Sequence, residues 1–299
     1  MTVSNDNSSM LPETTEETTV PVDGGEIHVC QDGRRDAPQL VLIHGTAASL
    51  RSWDPMVPLL ASSHRIIRID LLGCGESAKP GAASYAITDQ AHRVSAALDR
   101  LGVDRAIVVG HSSGGLVAAA LVEQRPDLVT ALALIDTGPN MAAYFADEIA
   151  IGPAQWPDLT DEQLRQIMSN AFSAGYQIPQ SFVDEARGMN LRVYAATSQA
   201  VRAYLDEQAL PQRLATLGKP LLVIYHSAVL AYLSPEDRGR FASTVSELGC
   251  VWLANEAPGV VASVPEPDGY HGPGPFVLTR DGREALAITE GHGGWVQWL

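Results

Sequence analysis

Short apolar runs recur along the chain with helical patterns between them. Leu40–His44, Arg65–Asp70, Ala106–Val109, Ala131–Asp136 and Leu221–Tyr225 show little alternation of apolar and polar residues, as do strands buried on both faces of a parallel sheet. Thr88–Leu101 and Leu116–Gln124 carry apolar residues at helical spacing, and the second stops ahead of Pro126, which cannot continue a helix. Upstream, Thr18–Val22 and Glu26–Gln31 flank Asp23-Gly24-Gly25, a turn composition that predicts a β-hairpin. The order predicts an α/β fold built on a doubly wound, mostly parallel sheet.

The pattern changes between Gly138 and Leu217. No strand is evident there, whereas Thr160-Asp161-Glu162-Gln163 forms a capping box ahead of Leu164–Phe172, and Val193–Glu207 is amphipathic. Residues 20–138 are expected to form the N-terminal part of the core, and residues 139–217 a helical cap over the carboxyl ends of the strands. Residues 218–299 are expected to continue the core with an atypical end: helix Pro235–Leu248, strand Cys250–Ala254, then a β-hairpin of Phe276–Arg280 and Ala285–Thr289 turning at Asp281-Gly282. Met1–Thr19 is polar and lacks an apolar h-region, so residues 1–19 read as a disordered tail and not as a signal peptide.

The densest chemical signal is Gly110-His111-Ser112-Ser113-Gly114, set between an apolar strand and a helix. Small residues on either side allow a serine to occupy a strained strand-to-helix turn with its hydroxyl raised above the sheet. The helix that follows aims its first free N–H groups at the same point, where negative charge on a substrate oxygen would be stabilised. Ser112 is the predicted nucleophile, with Ser113 as the fallback outside the symmetric glycine frame. The competing explanation, a chance Gly-x-Ser-x-Gly in a chain with 26 glycines, does not account for the strand–turn–helix context.

Composition narrows the partners. An apolar share of 45% with 18% charged residues is that of an ordinary soluble globular protein. The net charge of −15 disfavours nucleic acid and anionic membrane surfaces as partners and says nothing positive about the substrate; the expectation of a small-molecule substrate comes from the site chemistry. Cys30, Cys74 and Cys250 are far apart and odd in number, which suggests no disulfide framework and fits a reduced, cytoplasmic setting. The eight histidines show no His-x-x-x-His or carboxylate–His ligand spacing, and Gly73-Cys74-Gly75 lacks the third glycine of a dinucleotide fingerprint. No metal and no cofactor are expected.

Residues 20 to about 224 resemble the α/β-hydrolase fold family. The resemblance is carried by His44-Gly45-Thr46, Trp53, Asp70-Leu71-Leu72-Gly73-Cys74-Gly75-Glu76-Ser77, the Ser112 elbow and Leu134-Ile135-Asp136. It implies a hydrolase using a nucleophile, an acid and a histidine, with the backbone N–H groups of Thr46 and Ser113 forming the oxyanion hole. A serine at the nucleophile position favours the ester, thioester, amide and carbon–carbon hydrolase branches over dehalogenases and epoxide hydrolases, which use aspartate. In similar proteins His44 and His111 position loops, and Asp70 reads as a loop anchor.

The later part departs from that family. Tyr225 is followed by no acid before Glu236, and Cys250–Ala254 by no histidine before His271. Beyond about residue 225 the chain resembles the C-terminus of an uncharacterised actinobacterial protein family, carried by His226-Ser227-Ala228-Val229-Leu230-Ala231-Tyr232-Leu233, Trp252-Leu253-Ala254-Asn255-Glu256-Ala257-Pro258 and Gly291-His292-Gly293-Gly294-Trp295. This suggests a fusion joined near Val223–Tyr225.

A serine hydroxyl needs a base to take its proton, and the base needs an acid to fix its tautomer. Asp136, ending the strand after the nucleophile strand, is the candidate acid, against a structural reading of the same residue. His271, His292 and, less directly, His226 are candidate bases. The expected function is serine-dependent hydrolysis of a small ester-like substrate through an acyl-enzyme at Ser112. The alternative is a hydrolase-like pseudoenzyme that binds an apolar small molecule under the cap, its acid and base being incomplete. Trp156, Phe172, Tyr176 and Tyr194 are candidates for either pocket lining or cap core.

Overall fold

A computed structural model describes residues 15–141, 160–168, 178, 180–188, 190–225, 234–260, 275–290 and 296–299. Among them the strands are β1 Glu16–Val22, β2 Gly25–Asp32, β3 Gln39–Ile43, β4 Arg65–Ile69, β5 Ala106–His111, β6 Val129–Ile135, β7 Leu221–Tyr225, β8 Val251–Glu256, β9 Pro275–Arg280, β10 Glu284–Glu290 and β11 Val296–Trp298. The helices are α1 Val57–Leu60, α2 Ile87–Arg100, α3 Ser113–Gln124, α4 Asp161–Met168, α5 Gln180–Arg187, α6 Leu191–Glu207, α7 Leu210–Leu214 and α8 Pro235–Glu247, with a 3₁₀ helix over Leu50–Met56.

The strands form one sheet in the order β1-β2-β4-β3-β5-β6-β7-β8-β9-β10-β11. From β4 to β8 every pairing is parallel, while β1–β2 and β9–β11 extend the two edges antiparallel. Parallel strands need crossover connections, and α2, α3 and α8 lie in those crossovers. Every residue of β4 is buried, including Arg68, whose guanidinium is held by Asp32 at 2.8–3.0 Å and by Asp54. That pairing allows a charged side chain to be fully buried between Ile67 and Ile69.

Helix α3 is buried along its length from Ser113 to Val122, so it is apolar on all sides and serves as the central support behind β5 and β6. Helix α2 is amphipathic and buries Ile87, Ala91, Val94 and Leu98 on one stripe. These side chains join Val193, Val201, Tyr204 and Leu205 of α6 in the main core. Ahead of α4, the Thr160 N–H donates to Gln163 Oε1 at 2.8 Å and the Gln163 N–H donates to Thr160 Oγ1 at 3.3 Å, the reciprocal pair of a capping box.

One boundary moves. The stretch read as tail to Thr19 already contains β1, which starts at Glu16 and pairs with β2 from Glu16 opposite Gln31. Its polar residues conceal the strand because most of β1 is exposed. The ladder is reinforced by Arg35 on Glu16 and Arg51 on Glu17. Among the described residues, no helix is long and apolar enough to cross a membrane.

Candidate active site

Ser112 stands at the turn between β5 and α3 with φ 52° and ψ −126°, a left-handed conformation that costs an L-residue about 1–3 kcal/mol. The surroundings hold it there. Its N–H donates to Ile135 O at 2.8 Å, and its own carbonyl accepts from Gly115 N–H at 2.9 Å. A Cβ at Gly110 would lie 2.5 Å from Gly114 O, and one at Gly114 would lie 2.7 Å from Ile43 O. Both positions therefore require glycine for close backbone approach. Ser112 is half-buried at the N-terminus of α3, where the helix end favours negative charge.

The loop after β3 presses on this turn. A Cβ on Gly45 would stand 2.9 Å from the Ser112 Cβ, and Thr46 Oγ1 lies 2.7 Å from Ser113 Oγ. His44 is fully buried and fixed as one tautomer: Nδ1–H donates to Gly45 O at 2.7 Å, and Nε2 accepts from Leu71 N–H at 3.1 Å. Burial holds the His44 imidazole below its usual pKa, so the neutral form that this bonding requires is also the favoured one. Asp70 acts as an anchor, accepting from Leu50 N–H at 2.7 Å, Glu76 N–H at 3.0 Å and His28 Nδ1 at 3.0 Å.

Asp136 also has a positive φ, 53°. It follows Ile135, the register partner of His111, so it lies beside the Ser112 turn at the same end of the sheet. Its Oδ2 is 3.9 Å from His111 Nε2, and the His111 ring meets Trp53 edge to face with centroids 6.4 Å apart. Ser112, Ser113, Thr46 and Asp136 are thus gathered at the carboxyl ends of β3, β5 and β6. His226, His271 and His292 lie outside the described residues, as do Trp156, Phe172 and Tyr176. Sequence reasoning overlooked Glu256, a buried carboxyl group at the carboxyl end of β8, the same end of the sheet as Ser112. The alternation Trp252, Ala254, Glu256 places it on the buried face of the strand, and that periodicity was available in the sequence.

A cleft of about 250 Å³ opens beside Thr46, lined by the loops after β3 and β4 and, across from them, by Glu185, Val193 and Tyr194 of α5 and α6. Glu185 Oε1 accepts from Ser49 Oγ at 2.7 Å, linking α5 to the loop after β3. Burial raises the Glu185 carboxyl above its usual pKa, and the charges of Asp70 and Asp54 add to the effect.

The family model described as alpha/beta hydrolase fold matches residues 38–245. The chain belongs to the alpha/beta hydrolase fold family. The match runs past Val223–Tyr225 and through most of α8. Among curated alpha/beta hydrolases, the chain is 28% identical over 209 residues to the AB hydrolase superfamily protein YfhM of Bacillus subtilis, covering 66% of this chain and 69% of YfhM. It is 27% identical over 143 residues to the uncharacterized carboxylesterase nap of the same species, covering 48% of each. The chain spans about half the length, 44 to 49%, of several of the curated relatives it matches. The solved structure of a bacterial membrane phospholipase A superposes with a TM-score of 0.63 at 25% identity, covering 81% of this chain and 78% of that one.

Proposed function

We propose that the chain is a serine-dependent hydrolase of a small ester-like substrate. The observation that carries this reading is the Ser112 turn, a strained backbone held at the N-terminus of a buried helix. Strain of this kind persists where the surrounding structure over-determines it, and it clusters at active sites. The carboxylesterase named among the relatives supports ester chemistry, and a serine in the elbow supports a covalent acyl-enzyme.

In this scheme Ser112 Oγ attacks the carbonyl carbon while its proton passes to an imidazole, His271 or His292, whose orientation and charge are supported by Asp136. The backbone N–H groups of Thr46 and Ser113 hold the oxygen that becomes negative. The imidazolium then gives its proton to the departing alcohol. Water repeats the sequence on the acyl-enzyme and releases the acid, so the scheme needs no metal and no cofactor. Residues 139–217 act as the cap, with Tyr194 bordering the cleft.

Hydrolysis of p-nitrophenyl esters of increasing acyl length tests this reading. Turnover in the wild type should fall roughly 10⁴-fold in Ser112→Ala. Glutamine substitution of His226, His271 and His292 in turn should produce a comparable loss at one of them. Equal turnover in Ser112→Ala and wild type would remove the serine from the chemistry.

A further inference from the structure

The β1–β2 ribbon carries a cluster for which the hydrolase scheme has no use. Register sets Glu17 opposite Cys30, and His28 lies two residues along the same strand, so the three side chains share one face. His28 Nε2 is 3.5 Å from Glu17 Oε2 and 3.9 Å from Cys30 Sγ, and one donor atom from each residue lies within 4.8 Å of the other two. Glu76 Oε2 stands 3.9 Å from the same nitrogen.

The other side of the imidazole is engaged. Nδ1 lies 3.0 Å from Asp70 Oδ2, and a carboxylate only accepts, so Nδ1 carries the proton. On the opposite side of the ring, Nε2 faces two carboxylates and a sulfur, a donor set that a cation standing between them would satisfy. An outer carboxylate that fixes the tautomer of a ligating histidine is the usual support of a metal-binding imidazole. Arg51 Nη2 takes the far oxygen of Glu17 at 2.7 Å, leaving Oε2 turned to His28. Tetrahedral zinc with bonds of about 2.0–2.3 Å spaces its donors about 3.3–3.6 Å apart, close to the 3.5 Å from Nε2 to Glu17 Oε2 and the 3.9 Å to Cys30 Sγ. His28 and Cys30 are buried while Glu17 is exposed, so an ion has an approach from the Glu17 side.

We propose that Glu17, His28 and Cys30 bind one zinc(II) ion, with Glu76 within reach as fourth donor, fastening the N-terminal hairpin to the loop after β4. A nitrogen, a thiolate sulfur and carboxylate oxygen suit zinc(II), whereas magnesium and calcium take oxygen ligands. On binding, the Cys30 thiol releases its proton to solvent and the metal–sulfur bond replaces the S–H bond.

The test uses the untagged full chain stripped of metal by a chelator, with cobalt(II) as a spectroscopic substitute for zinc(II). One equivalent of cobalt(II) should give a thiolate-to-metal absorption band that zinc(II) displaces. The band should persist in Cys74→Ser and Cys250→Ser and vanish in Cys30→Ser. Glu17→Gln, a change on an exposed strand, should leave the circular dichroism unaltered and weaken zinc(II) binding by more than the roughly 10–100-fold loss typical of removing an outer-shell partner. If Cys30→Ser does not fold, Glu17→Gln decides. Absence of the band, its survival in Cys30→Ser, or undiminished zinc(II) affinity in Glu17→Gln overturns the site and leaves His28 as a structural contact between Asp70 and Glu17.

Discussion

Thr46 Oγ1 and Ser113 Oγ lie 2.7 Å apart, so the two residues whose backbone N–H groups are the proposed oxyanion donors are tied together through their side chains. One sits on the loop after β3 and the other begins α3. The bond fixes the spacing between their N–H groups, and spacing decides how well a developing oxyanion is held.

Thr46→Val and Ser113→Ala should therefore each lower kcat with little change in KM. The double variant should cost less than the sum of the two, with a coupling of about 0.5–3 kcal/mol. Steady-state kinetics on a p-nitrophenyl ester measures this. Fully additive losses would mean that the two hydroxyls act independently.

A methyl group at Gly114 would meet Ile43 O at 2.7 Å, and backbone offers no easy retreat. Gly114→Ala should lose about 1–3 kcal/mol of stability, as overpacked sites do. Gly239, within α8 and with open space where a methyl group would stand, is the matched control. Gly239→Ala should gain about 0.5–1 kcal/mol because alanine replaces glycine inside a helix. Urea denaturation of both variants gives the comparison.

His44 is buried neutral, and burial holds its pKa below the 6.5 of a free imidazole. The unfolded chain therefore binds a proton more readily than the folded one, and stability falls as pH drops below about 6.5, by at most about 1.4 kcal/mol per pH unit from this group. Above pH 6.5 its contribution is constant. His44→Gln should flatten that segment of the stability curve, visible as a smaller drop in Tm between pH 6.5 and 5.5. An unchanged slope would place the pH dependence elsewhere.

Glu185 presents the opposite sign. Its folded pKa is raised above the ordinary 4.5, so its ionised form weakens the fold at neutral pH, and that penalty disappears as pH falls below 4.5. Glu185→Gln retains an oxygen to accept from Ser49 Oγ and removes the charge facing Asp70 and Asp54. The variant should melt higher than wild type at pH 7 and level with it near pH 4. A Tm advantage that persists undiminished at pH 4 would assign it to something other than charge.

The core was legible wherever one local pattern carried the information. The runs that became β3 to β7 are apolar because both their faces are covered, and Gly110, Ser112 and Gly114 announce a turn that only small neighbours permit. The Thr160 capping box is local in the same way. Register is not local. Glu17 and Cys30 are 13 positions apart in sequence and opposite one another in space, so no ligand spacing along the chain reveals them. Nor did the exposed polar residues of Glu16–Thr19 announce a strand, since an edge strand gains its stability from the ladder it joins and not from alternating burial. Asp70 lay between: its motif suggested an anchor, but only the fold identifies Leu50, Glu76 and His28 as the groups it holds.

The central claim is that the Ser112 hydroxyl is an activated nucleophile. Intact-mass analysis after exposure to a fluorophosphonate tests it most directly. The account predicts a single covalent adduct on the wild-type chain, absent from a folded Ser112→Ala variant. A folded wild type that stays unmodified, or an adduct that persists in Ser112→Ala, would contradict it.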